Sequence, residues 1–270
     1  VAPIVEVGSD YDNGRARQFN LYAVYATKAR VYYTMGDNQK AAEYAKKVID
    51  AKQNFSLTES RNFDKVRRFP ADREMIFGLN NRTLSQSVYN TFFGYTQSSG
   101  NFTESRKDLE TLYETKTFTS SNVDVRYSAF YRKEGGAFIF LRFIANESES
   151  RSSALQGLTL VRLPEMYYIL AESLYDTDPK AAKAALDEVR KSRGLQPSDD
   201  AKFLTKDTFL QEMINERMRE MPGEGQVFYA LKHYNKPFKA LNGRTTIESS
   251  PTRFVLPRPD RELEFGNKQQ

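Results

Sequence analysis

The sequence predicts a mostly α-helical protein in which helical hairpins stack into an α/α superhelix, joined by a loop-rich insert with a few short strands. Three stretches, 20–51, 163–193 and 206–235, place small and apolar residues at the i, i+3, i+4 and i+7 spacing of successive helix faces. The region between the first two stretches differs in character. It mixes strand-like runs with segments rich in Ser, Thr and Asn, which are typical of loops.

The first stretch, 20–51, has the pattern of a tetratricopeptide-like repeat. Its first helix is predicted to end at Gly36, because glycine tolerates the left-handed conformation of a helix C-cap. Counted from the Gly-Asp turn, Ala29, Ala41 and Ala45 fall where such a repeat needs small residues for close approach of its two helices. We therefore expect a tightly packed hairpin here.

The second stretch, 163–193, repeats this pattern with its own start and stop signals. Asp178 is expected to cap the free amides of the second helix, and Pro179 supplies a helical φ where its missing N–H costs nothing. Gly194 is expected to end the hairpin. The third stretch, 206–235, carries an apolar stripe that we interpret as core filling: Met213, Ile214, Met218 and Met221.

The domain organisation follows from these stretches. Residues 1–19 are interpreted as an extended leader or linker, and residues 20–270 as a single domain. Within that domain we predict an irregular insert at 52–160 and an extended, proline-punctuated tail at 236–270. Strand-like runs in the insert are 74–79 and 137–144. Because long loops inside a compact domain are usually functional or disordered, the insert is the expected ligand-binding face.

Composition excludes several classes of function. The 40 basic and 35 acidic residues give a net charge of +5 with both signs interspersed, which does not indicate a nucleic-acid partner. The absence of cysteine excludes disulfides, thiol catalysis and thiolate metal sites, and a single histidine argues against a transition-metal site. No stretch approaches the roughly 20 apolar residues of a membrane span. We predict no cofactor and no metal.

No set of residues suggests catalysis either. His233 follows an apolar helical run and is interpreted as a structural or surface histidine. The closely spaced carboxylates that could serve glycoside hydrolysis occur in turns and loops: Glu147 with Glu149, Asp176 with Asp178, and Asp199 with Asp200. No loop has the ligand spacing of an EF-hand calcium site. We therefore predict a protein that is not an enzyme.

The third hairpin carries a dense group of charges, which comprises Glu216, Arg217, Arg219, Glu220 and Glu224. Their spacing suits i,i+3 and i,i+4 ion pairs on one helix, together with an arginine packed at the junction between repeats. We predict that this group holds the architecture and takes no part in chemistry.

The predicted ligand-binding residues lie in the irregular segment 80–105 and comprise Tyr89, Phe92, Phe93, Tyr95 and Asn101. Sugars present apolar C–H faces that stack on aromatic rings, while their hydroxyls pair with amide, hydroxyl and charged side chains. Binding sites combine a mostly apolar lining with a few polar groups, and this segment supplies both. The alternative is a small hydrophobic core beneath the loop. The absence of Trp, a favoured sugar platform, leaves peptide ligands open.

Five motifs in this order resemble those of the SusD/RagB family. They are ARVYYTMGDNQKAAEYAKKVI in the first repeat, REMIFGL at 73–79, Asp-Val-Arg at 124–126, the run from RLPEMYYILAESLY to INERMREMPGEGQVFYALKHY, and FVLPRP at 254–259. The fourth motif, a repeat hairpin that leads into an Asn-Glu-Arg…Gly-Glu-Gly helix, is the most specific. The resemblance covers the chain from about residue 18 onward.

The resemblance implies a nutrient-binding lipoprotein at the cell surface, anchored in the outer membrane only through lipid on an amino-terminal segment that this sequence lacks. It implies capture of a glycan, or less often a peptide, and its delivery to a SusC-like TonB-dependent outer-membrane transporter. Two further alternatives are a tetratricopeptide scaffold that binds protein tails and an α/α glycoside hydrolase. The long insert disfavours the scaffold, because scaffolds carry their repeats in uninterrupted tandem.

Overall fold

The computed structural model describes residues 18–67, 72–81, 103–134, 137–141, 157–239, 245–255 and 258–259. Over these residues the fold is mostly helical with short strands, so the predicted fold class is confirmed. Helices α1 to α9 are, in order, Leu21–Met35, Asn38–Ile49, Arg106–Leu112, Val125–Phe130, Leu163–Leu174, Pro179–Ser192, Lys206–Glu220, Gln226–Tyr234 and Pro251–Phe254. Strands β1 to β7 are Met75–Asn80, Thr103–Ser105, Tyr131–Glu134, Ala137–Phe140, Gly157–Arg162, Phe238–Lys239 and Thr246–Ile247.

Helices α1 and α2 form the first hairpin, and alanine builds their interface. The fully buried residues there are Ala26, Ala29, Ala41 and Ala45. Their small side chains let the two helices approach closely, as the repeat pattern predicted. Helix α1 begins at Asn20, whose side chain accepts a hydrogen bond from the amide of Ala23. It ends at Gly36, which has a φ of +79° and caps the carbonyls of the last turn.

Helices α5 and α6 form the second hairpin, and α5 packs against α2. The two hairpins are therefore consecutive in space although the insert separates them in sequence. Asp178 accepts a hydrogen bond from the amide of Ala181 and so caps α6, and Pro179 occupies its first turn, as expected. The buried faces of the hairpin carry Tyr168, Ala171, Ala182, Leu186 and Val189.

Helix α7 adds the third hairpin. A reciprocal capping box between Thr205 and Thr208 starts it. Phe209 and Met213 are fully buried against the second hairpin, and Tyr175 stacks on Phe209 with ring centroids 4.2 Å apart. The methionine stripe is therefore core, as predicted. Helix α8 packs back on α7, because Leu231 and Ile214 share one apolar cluster.

The described part of the insert has its own small core and more regular structure than the sequence suggested. Helices α3 and α4 pack with the three-stranded antiparallel sheet β2–β4–β3. The buried residues of this core are Phe63, Val66, Leu109, Tyr113, Phe130, Tyr131, Phe138 and Phe140. Strands β1 and β5 form a separate antiparallel ribbon, with irregular register near Phe77. The strand-like runs at 74–79 and 137–144 thus contribute one strand to each sheet.

The described part of the tail is also less extended than predicted. Strands β6 and β7 pair as a short antiparallel ribbon. Residues 251–254 then form the helical turn α9, because Pro251 sits at its first position, where a fixed φ favours a helix start. Phe254 is buried against Leu231 and Ile214, which ties this turn to the third hairpin.

Replacing Gly194 should destabilise the protein far more than replacing Gly36. Both glycines have a φ near +80°, so an alanine at either position costs about 1 kcal/mol of backbone strain. At Gly194 an added Cβ would also lie 2.6 Å from the carbonyl oxygen of Val123, whereas at Gly36 nothing lies within 4 Å. We expect a loss of about 1 kcal/mol in the free energy of unfolding for Gly36→Ala and about 3 kcal/mol for Gly194→Ala, measured by urea denaturation. Equal losses would contradict the close approach of the two chain segments.

Candidate functional site

The predicted ligand-binding residues Tyr89, Phe92, Phe93, Tyr95 and Asn101 lie outside the described residues. What the structure does define is the pair of strands at the two ends of their segment. Strand β1 ends at Asn80, and β2 begins at Thr103. Asn80 is paired with Gly157 at the start of β5, and Thr103 with Ile139 in β4. Both ends of the segment are therefore held in antiparallel strand pairs.

A second stretch, 142–156, connects the same two sheets. It leaves β4, whose residue Ile139 faces Thr103, and enters β5 at Gly157, which faces Asn80. The segment 80–105 therefore begins beside Gly157, the residue that follows the stretch 142–156. It ends in β2, beside β4, the strand that precedes that stretch.

The outer face of the β1–β5 ribbon is apolar and exposed. Leu79 lies directly opposite Leu158, and Leu160 follows two positions later on the same face. Leu79 is 51% exposed, and the other two are more than one-third exposed. Beside them the ring of Phe19 meets the ring of Phe77 edge to face, with centroids 5.4 Å apart. The start of the predicted binding segment is therefore bordered by apolar surface.

At the opposite end of this ribbon, Arg162 belongs to a network of buried charges. Arg162, the last residue of β5, is 1% exposed. Its guanidinium donates hydrogen bonds to Glu74 at 3.1 Å, to Glu220 at 2.7 Å and to Glu224 at 2.9 Å. Arg193 of α6 donates to Glu220 at 2.9 Å and to Glu74 at 3.1 Å. Two strands and two helices are thereby joined by one set of charge-assisted hydrogen bonds.

The network continues along α7 to the insert. Arg126 of α4 is fully buried and donates to Glu216 at 2.9 Å, to Glu220 at 3.1 Å and to Asp124 at 2.7 Å. Arg219 also donates to Glu216, at 2.9 Å. Arg190 of α6 and Glu212 of α7 complete this half of the network. The insert is thus locked to the second and third hairpins by buried charge.

The carboxylates of the network stay ionised because the arginines surround them. Burial alone raises the pKa of Glu216, but the guanidiniums of Arg126, Arg219 and Arg190 outweigh it and hold that pKa well below its usual range. Burial likewise opposes ionisation of Glu220, and there the guanidiniums of Arg193 and Arg162 lower the pKa. These carboxylates are fixed as anions, so they are unsuited to act as general acids at neutral pH.

The charged residues of the third hairpin therefore hold the architecture. The predicted i,i+3 pair is present between Arg219 and Glu216. The other partners, which sequence reasoning missed, come from distant parts of the chain: Glu74, Asp124, Arg126, Arg162, Arg190 and Arg193. The Asp-Val-Arg triplet at 124–126 was a signal that could have suggested two of them.

A second cluster lines the face formed by the first helices of the three hairpins. Tyr33 of α1 donates a hydrogen bond to Glu172 of α5, and Arg217 of α7 donates to the same carboxylate at 2.7 Å. Burial, with the nearby charge of Glu172, raises the pKa of Tyr33 well above its usual value. His233 of α8 packs on the Tyr33 ring with centroids 4.2 Å apart, and Tyr234 lies beside Arg217. Helix α8 thus covers part of this inner face.

Four of the remaining residues that could serve catalysis make structural contacts. His233 is held between the rings of Tyr33 and Tyr234. Asp178 and Asp199 cap helical turns, and Asp176 forms an ion pair with Lys206. Glu147 and Glu149 lie outside the described residues. Within the part of the chain that the structure describes, no group of carboxylate and histidine side chains is arranged to hold a metal ion. No helix in that part is long and apolar enough to cross a membrane.

Removing the charge of Glu220 should strongly destabilise the protein. Arg162 and Arg193 share two buried carboxylates, Glu74 and Glu220. Glu220→Gln removes one of these anions, which we expect to lower the free energy of unfolding by about 3–5 kcal/mol. The matched control is Glu43→Gln, because Glu43 pairs with Lys47 on the exposed face of α2. The control should leave the urea midpoint unchanged. A small effect of Glu220→Gln would contradict a structural role for the network.

The network should also make stability depend on pH in the acid range. The pKa of Glu216 in the folded protein lies below the unfolded value of about 4.3, so the unfolded state binds more protons as pH falls. The stabilisation is fully present above pH of about 5 and is lost progressively below it. We expect urea denaturation between pH 3 and pH 6 to show this decline. The slope should be shallower in Glu216→Gln and unchanged in Glu43→Gln.

The family model described as "SusD family" matches residues 7–252. No curated protein matches the chain at a significant level of sequence similarity. Solved structures do match it in fold. A SusD superfamily protein from Bacteroides thetaiotaomicron is 23% identical with a TM-score of 0.68, and the alignment covers 96% of this chain and 63% of that one.

Two further structures carry ligand information in their names. A SusD-like carbohydrate-binding protein from Bacteroides vulgatus is 18% identical with a TM-score of 0.64, covering 92% of this chain and 53% of that one. A laminarin-binding SusD-like protein is 20% identical with a TM-score of 0.65, covering 94% of this chain and 62% of that one. The chain thus spans less than two-thirds of the length of each of these three structures. With its helical hairpins and with the family model matching most of its length, the chain belongs to the SusD family.

Proposed function

We propose that this protein is a glycan-binding protein of the cell surface that captures oligosaccharide or polysaccharide without cleaving it. The observation that carries the proposal is the support given to the segment 80–105. Both of its ends are held in paired strands. At the other end of the β1–β5 ribbon, Glu74 and Arg162 belong to the buried charge network. Such a scaffold holds the ends of a binding segment in place, which reduces the ordering cost of binding.

The chemistry of the segment suits a sugar. Tyr89, Phe92, Phe93 and Tyr95 offer ring faces for the apolar side of a pyranose, and Asn101 offers both a donor and an acceptor for hydroxyls. Two of the structural relatives bear names that specify carbohydrate or laminarin binding. Because their identity to this chain is low, they support the ligand class and not a particular linkage.

Delivery is the second half of the proposal. On the family resemblance, the protein is lipid-anchored at the outer membrane and passes its ligand to a SusC-like TonB-dependent transporter. Co-purification of the full-length protein with a transporter from outer membranes tests this part. Recovery of the protein alone under conditions that preserve such complexes would count against it.

The inner face of the hairpins favours this function over a tetratricopeptide scaffold. In a scaffold, the first helices of the repeats present open positions to a bound protein tail. Here Tyr33, Glu172 and Arg217 occupy those positions and bond to one another, and α8 places His233 against them. A peptide ligand would therefore have to bind elsewhere. If this protein binds peptides, we expect the segment 80–105 to bind them.

Affinity electrophoresis through gels that contain laminarin or one of a panel of other polysaccharides tests the proposal. We expect at least one polysaccharide to retard the protein, and we expect Phe92→Ala and Tyr95→Ala each to weaken binding about tenfold, since a stacked ring is a typical anchor. Tyr229→Ala is the matched control, because Tyr229 is a 65% exposed aromatic residue on α8, outside the segment. Its mobility should equal that of the wild type.

Three outcomes would contradict the proposal in different ways. Retardation that both loop variants retain would place the principal site outside the segment 80–105. Binding of peptides without any retardation by polysaccharide would favour the peptide-binding alternative. Release of reducing sugar from a retarding polysaccharide would show catalysis and favour a glycoside hydrolase.

A further inference from the structure

A groove lies between the first two hairpins. It has a volume of about 560 Å³ and lies between the end of α2, the chain at 55–60, the first turns of α5 and the last turns of α6. Its volume falls within the range of about 300–1,000 Å³ that small-molecule sites occupy. The described residues that line it come from the first two hairpins and from the chain that follows the first one.

The floor of the groove is apolar, and one hydroxyl group stands in it. Phe55 and Leu163 are buried and form part of that floor. Tyr167, on the next turn of α5, is half-buried; it lines the groove and also packs against the apolar clusters of both hairpins. Among the residues that the structure describes, none hydrogen-bonds to the Tyr167 hydroxyl. Burial raises the pKa of this phenol, as does the nearby carboxylate of Glu188, so it remains a neutral donor.

The rim is polar, and its charges balance. Lys52 and Lys191 supply two cations, and Glu59 and Glu188 supply two anions. Within the described residues, neither lysine nor Glu188 forms an ion pair, whereas Glu59 pairs with Arg61. Ser56 and Ser60 add hydroxyls that can both donate and accept hydrogen bonds. The hydroxyl of Ser192 already donates to the carbonyl of Val189 and accepts from Arg193. A ligand in this groove therefore meets donors and acceptors in similar number around an apolar floor.

We propose that this groove is a second saccharide site, which takes a neutral mono- or disaccharide. A pyranose has an apolar face for the Tyr167 ring and hydroxyls that both donate and accept, which matches a rim of both signs. An anionic ligand would face Glu59 and Glu188 as well as the lysines, so it gains little from charge. A lipid chain would leave the polar rim desolvated without partners.

The lining also argues against an extended peptide. Peptides bound in extended form pair their backbone with a strand edge or with amide side chains. The lining residues of this groove include neither a strand nor an Asn or Gln side chain. The inference extends the proposed glycan binding, on which it rests, and adds a site that is built from residues of the first two hairpins.

Saturation-transfer NMR titrations of the full chain with maltose, cellobiose and laminaribiose test the inference. We expect at least one disaccharide to bind, and we expect Tyr167→Ala to weaken that binding about tenfold. Ser56→Trp should weaken it as strongly by filling the groove from its exposed rim, without removing any buried atom. Tyr44→Ala is the matched control, because Tyr44 is a half-buried helical tyrosine of the first hairpin that does not line the groove. Circular dichroism melts check that each variant is folded.

The outcomes separate this inference from the proposed function. Loss of binding in both groove variants, with binding kept in Tyr44→Ala and in Phe92→Ala, supports the groove. Saccharide binding that the groove variants retain and Phe92→Ala loses overturns the inference and leaves the proposed function standing. Equal or stronger binding of glucuronate, glucosamine or a neutral tripeptide at the groove overturns the assignment of a neutral sugar. Absence of disaccharide binding by the wild-type chain overturns the inference, and the proposed function is overturned only if no polysaccharide of the electrophoresis panel retards the protein.

Discussion

The carboxylates of Glu216 and Glu220 are the constraint on which the rest of the structure depends. They lie one turn apart on α7, and both are fully buried. Between them they bind guanidiniums from α4, β5, α6 and α7 itself: Arg126, Arg162, Arg190, Arg193 and Arg219. A buried charge without its partner costs several kcal/mol, so these elements must assemble together. The insert and the last two hairpins therefore form one unit.

The charge network also holds the strands next to the segment that is proposed to bind glycan. Arg162 ends β5 and binds Glu74, which immediately precedes β1. The two strands leave the network side by side, and their six residues carry the chain about 17 Å to Asn80 and Gly157. A charge network of this kind favours one geometry over alternatives more than it adds net stability. Its value to function would be to fix where the binding segment begins.

In the helical hairpins, caps and helix interfaces can be predicted from residues that are close in sequence. Gly36, Asp178 and Pro179 were assigned cap positions from the sequence, and each occupies that position because a cap depends on residues within one turn. The alanine interface of the first hairpin follows from spacing alone, since helix periodicity fixes which side chains share a face. The helical turn at Pro251 was missed, because its stability depends on the burial of Phe254 against α7 and α8.

The hairpins, their caps and the family motifs can be predicted from the sequence, because they depend on residues that are neighbours along the chain. The remaining features arise from tertiary contacts. Arg126 meets Glu216 across 90 positions of sequence, and Tyr33 meets Glu172 across 139. These long-range contacts, the packing of His233 on Tyr33 and the groove at Tyr167 all join side chains that no local pattern relates. Their partners become neighbours only when burial of the apolar faces has brought the hairpins together.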